Sequence, residues 1–385
     1  MGNQKELVVV YNDILFLLSQ TFMYEQVKVL AEQYKVHLWA KRFENPHSFN
    51  IGEFDKIQID QPVHLADKVV SRLGRKYYNT SLYFDTRSIR QLRKFIKNNK
   101  IKAIHAHFGP RALDVLGIAR KHNIPLVVTF HGYDASSLLS DQKYVNKLPA
   151  LFEYASKIIL VSEHMIDTLK LDAWRNKVHI IPCSVDVGDF TDTGPDRSVK
   201  DIIKILHAGR LVGKKGVPDL IRVFHSLVED YPEIELHIAG DGEQLNECKS
   251  MVSEYSLEEK VIFYGGVSHK KIKKLLRDTD IFVLNSRTDE EGDMEGTPVT
   301  ILEAMCMEKP VVSTRHAGIP YVINHGENGL LADEKNNNEL RINLDQLIKD
   351  HDLRKKLGKA AKNTIVESFS SEVMGEKLSK VFKDI

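Results

Sequence analysis

The sequence predicts an α/β protein with two doubly wound, Rossmann-like domains. Short apolar runs of strand length alternate with amphipathic stretches of helical spacing along almost the whole chain. This alternation breaks near residues 184–201, where Gly, Pro and polar residues accumulate. The chain is also large enough for two cores, with 385 residues of which 42% are hydrophobic. Strands that alternate with helices form parallel sheets covered on both faces.

Each half of the chain has its own series of expected strands. Those of the first half cover 6–12, 35–40, 103–108, 125–131, 157–162 and 178–182. Those of the second half cover 204–210, 234–240, 261–266, 281–286 and 309–314. The apolar residues have the clearest helical spacing in 22–34, 218–231 and 268–279, and a terminal helix with serine caps is expected in 370–385.

We therefore expect a first domain over 1–190 and a second over 200–366. The remaining segment, 367–385, is expected to be a terminal helix that can cross back to the first domain. Ligands of parallel sheets lie at the carboxyl ends of the strands, so two such domains would face each other across a central ligand cleft.

The net charge of +1 hides an asymmetry between the two halves. Residues 1–200 hold 28 basic and 21 acidic side chains, and the segment 68–102 alone holds eleven basic side chains and one acid. Such a segment is either a solvated helix face or a contact with an anionic membrane surface, to which each basic group contributes on the order of 1 kcal/mol. No nucleic-acid motif accompanies the charge, so a nucleic-acid partner is not expected.

The remaining compositional features favour the cytoplasm. Cys183, Cys248 and Cys306 fit no disulfide or metal spacing, as is typical of a reducing compartment. The first residues do not resemble a secretory leader, and no run approaches the roughly 20 apolar residues of a spanning helix. We expect a cytoplasmic protein that can lie peripherally at the inner face of the cell membrane.

A glycine-rich turn in the second half has the composition of a diphosphate site. In ILHAGRLVGKKGVPDLI (205–221) an expected strand leads into Gly209 and Gly216, which let the backbone approach a ligand closely. Arg210 can hold phosphate oxygens through two parallel hydrogen bonds, and Lys215 can neutralise them as a point charge. The residue order is not that of a Walker loop, and a basic surface turn would have the same composition.

An acidic segment, DEEGDMEGTPVTILEAM (289–305), leads into an expected helix with Thr297 as its N-cap and Pro298 as its first residue. The N–H groups of that first turn would attract an anion. Glu295 and Glu303 flank the turn, and ionised carboxylates suit a ligand rich in hydroxyl donors. One ligand that carries both phosphates and hydroxyls would explain the arrangement. The other acids are expected to be exposed loop charges: Asp289, Glu290, Glu291 and Asp293.

At these motifs the sequence resembles the retaining glycosyltransferases of family 4, which have the two-domain GT-B fold. The motifs that carry the resemblance, in order, are GRLVGKKG (209–216), LHIAGDGE (236–243), EGTPVTILE (295–303), EAMCMEKPVVSTRHAGIP (303–320) and GENGLLA (326–332). The first half, with AIHAHFGP and LVVTFHGYDAS, is similar to the branch that assembles exopolysaccharides and colanic acid. Gln20 stands where this branch has an acid.

The resemblance implies a role for each matched residue. Glu303 would bind the ribose hydroxyls of a nucleotide diphosphate-sugar, and Glu295 the hydroxyls of its sugar. The diphosphate would lie against Arg210 and Lys215. The backbone around it would be that of Gly209, Gly296, Thr297 and Pro298. In the first half, His131 would stand beside the transferred sugar. An acceptor-side or phosphate loop would be formed by Ser19, Gln20, Thr21 and Phe22.

Two further motifs can be mistaken for metal sites. His105 and His107 share a strand face, but the sequence places no third ligand beside them, so we expect packing in the core or cleft. Asp278-Thr279-Asp280 is a literal Asp-x-Asp, yet it precedes an apolar strand instead of following one. We therefore expect Asp280 at a helix end or strand start, and no metal cofactor.

The predicted function is transfer of a hexosyl unit from a UDP- or GDP-linked sugar to an acceptor hydroxyl, with retention of configuration. The branch implies a lipid-linked or growing surface-polysaccharide acceptor. The family implies front-side attack, in which the leaving phosphate oxygen takes the acceptor's proton. A sucrose- or starch-type synthase with a soluble acceptor is one alternative. A non-catalytic GT-B scaffold subunit is another, which loss of the glutamate pair or of the basic clamp would favour; both are intact.

Overall fold

The computed structural model describes residues 5–17, 21–45, 49, 51–60, 64–78, 85–191, 194 and 202–385. They form two compact units, Met1–Pro182 with Met374–Ile385, and Cys183–Val373. The chain thus leaves the first unit at Pro182 and returns at Met374, where the expected domain limits were 190 and 367. Each unit contains a parallel sheet with helices, which confirms the predicted α/β class.

The sheet of the first unit is parallel throughout the described residues. From edge to edge its strands are β5 (Asp55–Gln58), β3 (Lys35–Ala40), β1 (Leu7–Tyr11), β6 (Ile101–His107), β7 (Leu126–Phe130), β8 (Lys157–Leu160) and β9 (Val178–Ile180). Two short strands pair separately, β2 (Ile14–Leu15) and β4 (Arg42–Phe43). Every residue of β1 is buried, as expected for a central strand covered on both faces.

The sheet of the second unit is parallel too. Its strands, from edge to edge, are β12 (Val261–Gly265), β11 (Ile234–Ala239), β10 (Ile203–Ala208), β13 (Ile281–Leu284), β14 (Val311–Thr314) and β15 (Leu330–Ala332). This is the strand order of dinucleotide-binding domains, in which the direction of winding reverses beside the first strand. The reversal falls between β10 and β13, so the loops that follow these two strands diverge and leave a crevice.

Helices pack on these sheets in both units. Those of the first part of the chain are α1 (Thr21–Gln33), α2 (Leu65–Tyr78), α3 (Thr86–Asn98), α4 (Gly109–His122), α5 (Gln142–Val145), α6 (Leu148–Tyr154) and α7 (Met165–Thr168). The later ones are α8 (Val217–Val228), α9 (Leu245–Glu254), α10 (His269–Arg277), α11 (Val299–Cys306), α12 (Asn337–Lys349), α13 (His351–Ser368) and α14 (Ser371–Lys383). Among the described residues, none of these helices is both long and apolar enough to cross a bilayer.

The terminal helix α14, which was expected to be able to cross back to the first domain, contributes to the core of the first unit. Phe382 is fully buried, and its ring centroid lies 5.8 Å from that of Tyr34 and 5.6 Å from that of His105. Gly375 allows close packing, because a Cβ there would lie 3.0 Å from a methyl carbon of Val29. The chain therefore uses its last residues to cover strands formed by its first ones.

Candidate functional site

A candidate site lies in the second unit, where β10 and β13 end side by side. After β10 the chain passes Gly209 and Arg210 and makes a 3-10 turn, Gly213–Lys215, before α8. After β13 it passes through Asn285 and Ser286 and the acidic segment to α11. These are the two loops that the sequence singled out, and the strand order brings them together.

Glycines set the path of the first loop. A Cβ on Gly240 would lie 1.8 Å from the carbonyl oxygen of Gly209, and a Cβ on Gly242 would lie 2.4 Å from that of Leu211. Gly240 also has a φ of +154°, which side chains rarely allow. The N–H of Leu211 donates to the carbonyl of Asp241 at 3.0 Å. The Gly-Asp-Gly turn after β11 is therefore the support on which the Gly209-Arg210 turn rests.

The two predicted clamp cations lie in different surroundings. Arg210 is exposed, and its side chain makes no hydrogen bond or ion pair within the part of the chain that the structure describes. Lys215 is buried, and its Nζ lies 2.6 Å from Oε1 of Glu295. The hydroxyl of Ser286 donates to the same carboxylate oxygen at 3.1 Å. The sequence paired Lys215 with Arg210 by composition, but the structure pairs it with Glu295.

Glu295 is a buried carboxylate that stays ionised. Burial by itself would raise the pKa of Glu295, but the nearby ammonium groups of Lys215 and Lys214 outweigh it and lower the pKa to about 2. A buried charge is tolerated when it is paired and hydrogen-bonded. The site therefore holds a fixed negative charge directly against a fixed cation.

The backbone of Glu295 is held by a histidine that the sequence did not single out. His316 is fully buried, and its Nε2 accepts the N–H of Glu295 at 3.0 Å. The other ring nitrogen, Nδ1, must then carry the proton, and it donates to Glu334 at 2.6 Å. Glu334 also accepts the N–H of Thr288 at 2.9 Å. Burial opposes this charge, but these two donors hold the pKa of Glu334 below its ordinary value.

The acidic segment is more ordered than the sequence suggested. Glu290 and Glu291 are exposed loop charges, as expected. Asp293, in contrast, lies 2.8 Å from the Nζ of the buried Lys214. Asp289 accepts the backbone N–H groups of Glu291 at 3.0 Å and Asp293 at 2.8 Å, which closes a tight loop. The expectation that all four acids are unspecific charges was wrong for Asp289 and Asp293.

The helix after this loop begins one residue later than predicted. Pro298, with φ −66° and ψ 111°, is the N-cap of α11, and Val299 is its first residue. The sequence placed Thr297 at the N-cap and Pro298 inside the helix. The extended ψ of Pro298 excludes this. Gly296, Thr297 and Pro298 are all buried just before the helix begins. The first N–H groups of α11 have no acceptor within the helix.

Glu303, one turn into α11, is buried and has a partner of its own. Its Oε1 lies 2.9 Å from Nε2 of His269, the first residue of α10. The ring of Phe190 lies 5.8 Å from that of His269. Glu303 is thus held in one orientation by a polar contact that the sequence did not indicate.

In the first unit, His131 follows β7 and joins the two histidines of β6. Its Nε2 lies 3.0 Å from Nδ1 of His107, and the His105 ring is 4.5 Å from the His107 ring. His105 and His107 are fully buried, so the predicted packing is confirmed, but the sequence did not foresee His131 as their third neighbour. Burial lowers the pKa of all three rings, which are therefore neutral near pH 7.

A buried acid shapes the turn that carries His131. Asp134 accepts the backbone N–H groups of His131 at 2.9 Å, Gly132 at 3.2 Å and Gly109 at 2.8 Å. Burial raises the pKa of Asp134 to about 6, although these N–H groups act in the opposite direction. The arrangement fastens the end of β7 to the start of α4.

The predicted acceptor-side loop is only partly described. Ser19 and Gln20 lie outside the described residues, and of Thr21 only its place at the start of α1 is described. The ring centroid of Phe22 lies 4.6 Å from that of His131. Phe22 and His131, which the sequence selected separately, are therefore neighbours.

The first unit also has a polar pocket of about 430 Å³ at the carboxyl ends of β1, β3 and β5. Its lining includes Asp13, Lys41 and Asp60. Lys41 Nζ lies 2.8 Å from Asp13, which also forms an ion pair with Arg111 at the start of α4. Charged groups of both signs thus meet at the point where this sheet reverses its winding.

The Asp-x-Asp sequence has a structural place. Asp278 caps α10 and lies 2.9 Å from the guanidinium of Arg277. Asp280 precedes β13 and accepts the N–H of Lys204 at 2.8 Å, which confirms its predicted position. Within the described ranges, no group of three His, Cys, Asp or Glu side chains is arranged to hold a metal ion.

Both halves of the chain match families of known proteins. Residues 19–189 match the family described as Glycosyltransferase Family 4, and residues 194–364 match the one described as Glycosyl transferases group 1. WcaL of Salmonella typhimurium, named as a colanic acid biosynthesis glycosyltransferase, is 29% identical over 290 residues, 73% of this chain and 70% of that protein. The amylovoran biosynthesis glycosyltransferase AmsK of Erwinia amylovora is 31% identical over 217 residues, 54% of this chain and 51% of that protein.

Solved structures share the fold over its full length. HepE of Anabaena, crystallised with UDP and glucose, superposes with a TM-score of 0.79 at 16% identity, covering 99% of this chain and 100% of that one. Sucrose-phosphate synthase from Thermosynechococcus elongatus gives 0.73 at 15% identity, covering 99% of each chain. At these identities the likeness concerns the fold, and the two-domain fold expected from the sequence is confirmed.

Proposed function

The chain belongs to the family 4, group 1 glycosyltransferases, and from this premise we propose that it moves a hexosyl unit from a UDP- or GDP-linked sugar to an acceptor hydroxyl with retention of configuration. One observation carries the proposal. Where β10 and β13 end, an exposed guanidinium, a buried Lys–Glu pair and the start of α11 lie on the two adjoining loops. Cations and helix N–H groups suit a diphosphate, and carboxylates suit sugar hydroxyls.

The diphosphate is assigned to the Gly209-Arg210 turn, to Lys215 and to the backbone of 296–298. Arg210 is available for two parallel hydrogen bonds, because no side chain among the described residues competes for it. Lys215 would be shared between phosphate and Glu295, since its ammonium has three donors. Glu295 would keep its second oxygen for a sugar hydroxyl.

The ribose is assigned to Glu303, whose carboxylate His269 orients through a single oxygen. The second oxygen can then accept from a ribose hydroxyl. Glu303→Gln should therefore raise the KM for the donor much more than the KM for the acceptor. Glu308→Gln, two residues beyond the end of the same helix and paired with Lys362, is the matched control. A change confined to acceptor kinetics would contradict the ribose assignment.

His131 is assigned to a hydroxyl of the transferred sugar. Its ring is neutral, so it can hydrogen-bond without adding a charge beside the anomeric carbon. His107 fixes the orientation of the ring at Nε2 and leaves Nδ1 for another partner. Phe22 packs against the same ring and would shield that place from water.

The proposed reaction needs no dedicated general base. The acceptor attacks from the face that the diphosphate leaves, and the leaving phosphate oxygen takes the acceptor's proton. The chain contributes by stabilising charge on the leaving group through Arg210, Lys215 and the N–H groups of α11. Removal of one such donor typically costs about 3 kcal/mol, or roughly a hundredfold in rate.

We propose that transfer is independent of a metal ion, because the basic groups already neutralise the diphosphate. A chelator should leave turnover unchanged, as measured by release of nucleoside diphosphate. A strict requirement for a divalent ion would contradict this and would direct attention to Asp278 and Asp280.

The acceptor is proposed to be a lipid-linked or growing surface-polysaccharide glycan. WcaL and AmsK are named for colanic acid and amylovoran, which supports a polysaccharide acceptor. The basic segment 68–102 supports a contact with an anionic membrane surface at the inner face of the cell membrane. The polar pocket at Asp13 and Asp60 is a place in the described part of the first unit that suits a hydrophilic acceptor group.

Calorimetric titration with UDP, GDP, UMP and GMP tests the donor assignment. The diphosphate of one base should bind much more tightly than its monophosphate, and Arg210→Ala should remove most of that difference. Equal affinity for monophosphate and diphosphate would contradict the clamp.

Two further experiments test the reaction and the acceptor. The anomeric configuration of the product, determined by NMR, tests whether configuration is retained. Transfer to free sugars, compared with transfer to lipid-linked glycans, tests the alternative of a soluble acceptor.

A further inference from the structure

We propose that the outward face of α2 is a membrane-docking surface, in which Leu65, Val69 and Leu73 enter the headgroup region of an anionic leaflet while Lys68, Arg72 and Lys76 contact lipid phosphates. This inference deepens the proposed function and rests on it, because an acceptor carried by a lipid is what requires such a surface. The membrane contact that the sequence indicated for residues 68–102 as a whole is thereby assigned to one face of α2.

The helix α2 presents its large apolar side chains to solvent. Leu65 is 80% exposed, Val69 55% and Leu73 63%. Among the side chains of α2 that the structure describes, the buried residues are the small Ser71 and Gly74, and Val70 is half-buried. A helix that packs on its own domain normally buries the large apolar side chains and exposes the polar ones. The reversed arrangement indicates that the outward face has a partner outside the unit.

The outward face consists of two parallel stripes. Leu65, Val69 and Leu73 recur at intervals of four residues and form an apolar line. Lys68, Arg72 and Lys76 recur at the same interval and form an exposed basic line beside it. This is the pattern of a helix that lies in the plane of a membrane interface, with apolar side chains among the acyl chains and cations at the headgroups.

Polar contacts at both ends hold α2 in this orientation. Near its start, Asp67 accepts the backbone N–H of Thr86 at 3.1 Å and the Thr86 hydroxyl at 2.6 Å. Near its end, the carbonyl of Tyr77 accepts from the Nζ of Lys121 at 3.2 Å, and that ammonium also lies 3.1 Å from the Tyr77 ring centroid. The apolar stripe is therefore displayed by a fastened helix.

The charge around the stripe selects the partner. The adjoining helix α3 exposes further cations, including Arg87, Arg90 and Lys94. A second copy of this chain would bring two strongly basic faces together, and a nucleic acid would leave the apolar stripe in water. An anionic bilayer satisfies both stripes at once.

The polar pocket of the first unit is joined to α3, the helix that packs beside α2. Asp60, which lines the pocket, lies five positions before α2 begins. The N–H of Asp60 donates to the Ser88 hydroxyl of α3 at 2.9 Å, and Ser88 donates to the Gln58 carbonyl at 3.3 Å. Hydrogen bonds therefore tie the segment that lines the pocket to the helix that packs beside α2.

Flotation of the full chain with vesicles tests the proposal. Vesicles with phosphatidylglycerol should bind the chain, whereas pure phosphatidylcholine vesicles should bind it weakly. The triple variant Leu65→Ser, Val69→Ser and Leu73→Ser should lower the affinity for anionic vesicles by about tenfold or more. Ile342→Ser with Val366→Ser, two exposed apolar residues of the second unit, is the matched control and should bind normally.

A second measurement does not depend on the loss of binding. The tryptophan emission of Leu73→Trp should shift to the blue when anionic vesicles are added, and that of Val366→Trp should not. Normal binding by the triple serine variant would overturn the proposal. The proposal would also be overturned if the wild type formed a dimer and the triple serine variant did not, because a second copy of this chain would then be the partner.

Failure of the docking surface and failure of the proposed function can be told apart. UDP or GDP binding and transfer to a detergent-solubilised acceptor should be the same in the triple variant and the wild type. A chain that transfers sugar but ignores anionic vesicles refutes only the docking surface. A chain that binds vesicles through α2 but binds no nucleoside diphosphate refutes only the proposed function.

Discussion

At the scale of single residues, the two cations of the proposed diphosphate clamp differ in the contacts that hold them. Arg210 is exposed and is paired with no side chain in the described part of the chain, whereas Lys215 is buried against Glu295. Loss of Arg210 should therefore affect transfer more than stability. Loss of Lys215 should affect both, because it leaves the buried carboxylate of Glu295 without the cation that pairs with it.

Arg210→Ala should lower turnover roughly a hundredfold, about 3 kcal/mol, with an unchanged unfolding free energy. Lys215→Ala should lower turnover as well and also destabilise the chain by about 3–5 kcal/mol. The double change Lys215→Ala with Glu295→Gln should recover part of that stability. Denaturant unfolding beside a turnover assay separates the effects, with Lys359→Ala, at an exposed position of the second unit, as control. An undiminished stability of Lys215→Ala would show that the pair is not the buried contact described.

The charge of Glu295 predicts a specific acid sensitivity. Its pKa of about 2 in the folded chain lies below the ordinary value of 4.5, so the folded state favours the ionised form. The resulting stabilisation, on the order of 3 kcal/mol, is complete above pH 4.5 and is lost as the pH falls toward 2. As the pH falls from 4.5 toward 2, the unfolding free energy of the wild type should therefore approach that of Glu295→Gln. Glu290→Gln, an exposed acid of the same loop, should parallel the wild type throughout.

At the scale of elements, the site depends on glycine turns at the ends of parallel strands. The loop after β11 supports the loop after β10 through contacts that leave no room for a Cβ at Gly240. The position of Arg210 is thus decided by a residue thirty positions away in sequence. The start of α11 is also set by the loop before it. The extended backbone of Pro298 fixes the first residue of the helix, and Asp289 closes the preceding loop by accepting the N–H of Asp293.

Gly240→Ala should destabilise the second unit by at least about 3 kcal/mol, because a Cβ would meet the Gly209 carbonyl in a backbone conformation that disfavours side chains. Gly266→Ala is the matched control, since its Cβ would meet only Asp241, at an ordinary 3.8 Å. The thermal shift caused by UDP or GDP should disappear in the first variant and persist in the second. Equal melting temperatures for the two variants would contradict the described contact.

At the scale of the whole molecule, the last residues of the chain belong to the first unit. Phe382 is fully buried beside Tyr34 and His105, and Leu378 is fully buried one turn earlier. The first unit therefore cannot complete its core until the second has been synthesised. This couples the two halves of the chain in folding, although each has its own sheet.

Phe382→Ala should destabilise the first unit by about 3–5 kcal/mol, because it leaves a cavity in a packed core. Tryptophan fluorescence can follow this unit selectively, since the two tryptophans of the chain, Trp39 and Trp174, both belong to it. The exposed Lys380→Ala should not change the transition. A loss of signal at the same denaturant concentration in both variants would show that α14 is dispensable for this unit.

Local patterns of the sequence determined the fold class, the central strands and the position of the motifs proposed to bind the nucleotide. These follow from neighbouring residues, since apolar runs such as LVVVY and IFVL have no stable place outside a covered sheet. Four strands were not expected from the sequence, namely the edge strands β5 and β15 and the two-residue strands β2 and β4. β5 has only Ile57 buried, so it lacks an apolar period, and β15 has just three residues.

Only the tertiary structure decided which charged and polar groups meet. Four pairs of side chains in contact lie on separate loops or elements, and no local pattern of the sequence links their members. They are Lys215 with Glu295, His316 with Glu334, His269 with Glu303, and His107 with His131. They come together because a parallel sheet gathers the ends of distant strands along one edge. The sequence could select residues able to bind a phosphorylated sugar, but the pairing of each charge depends on strand order.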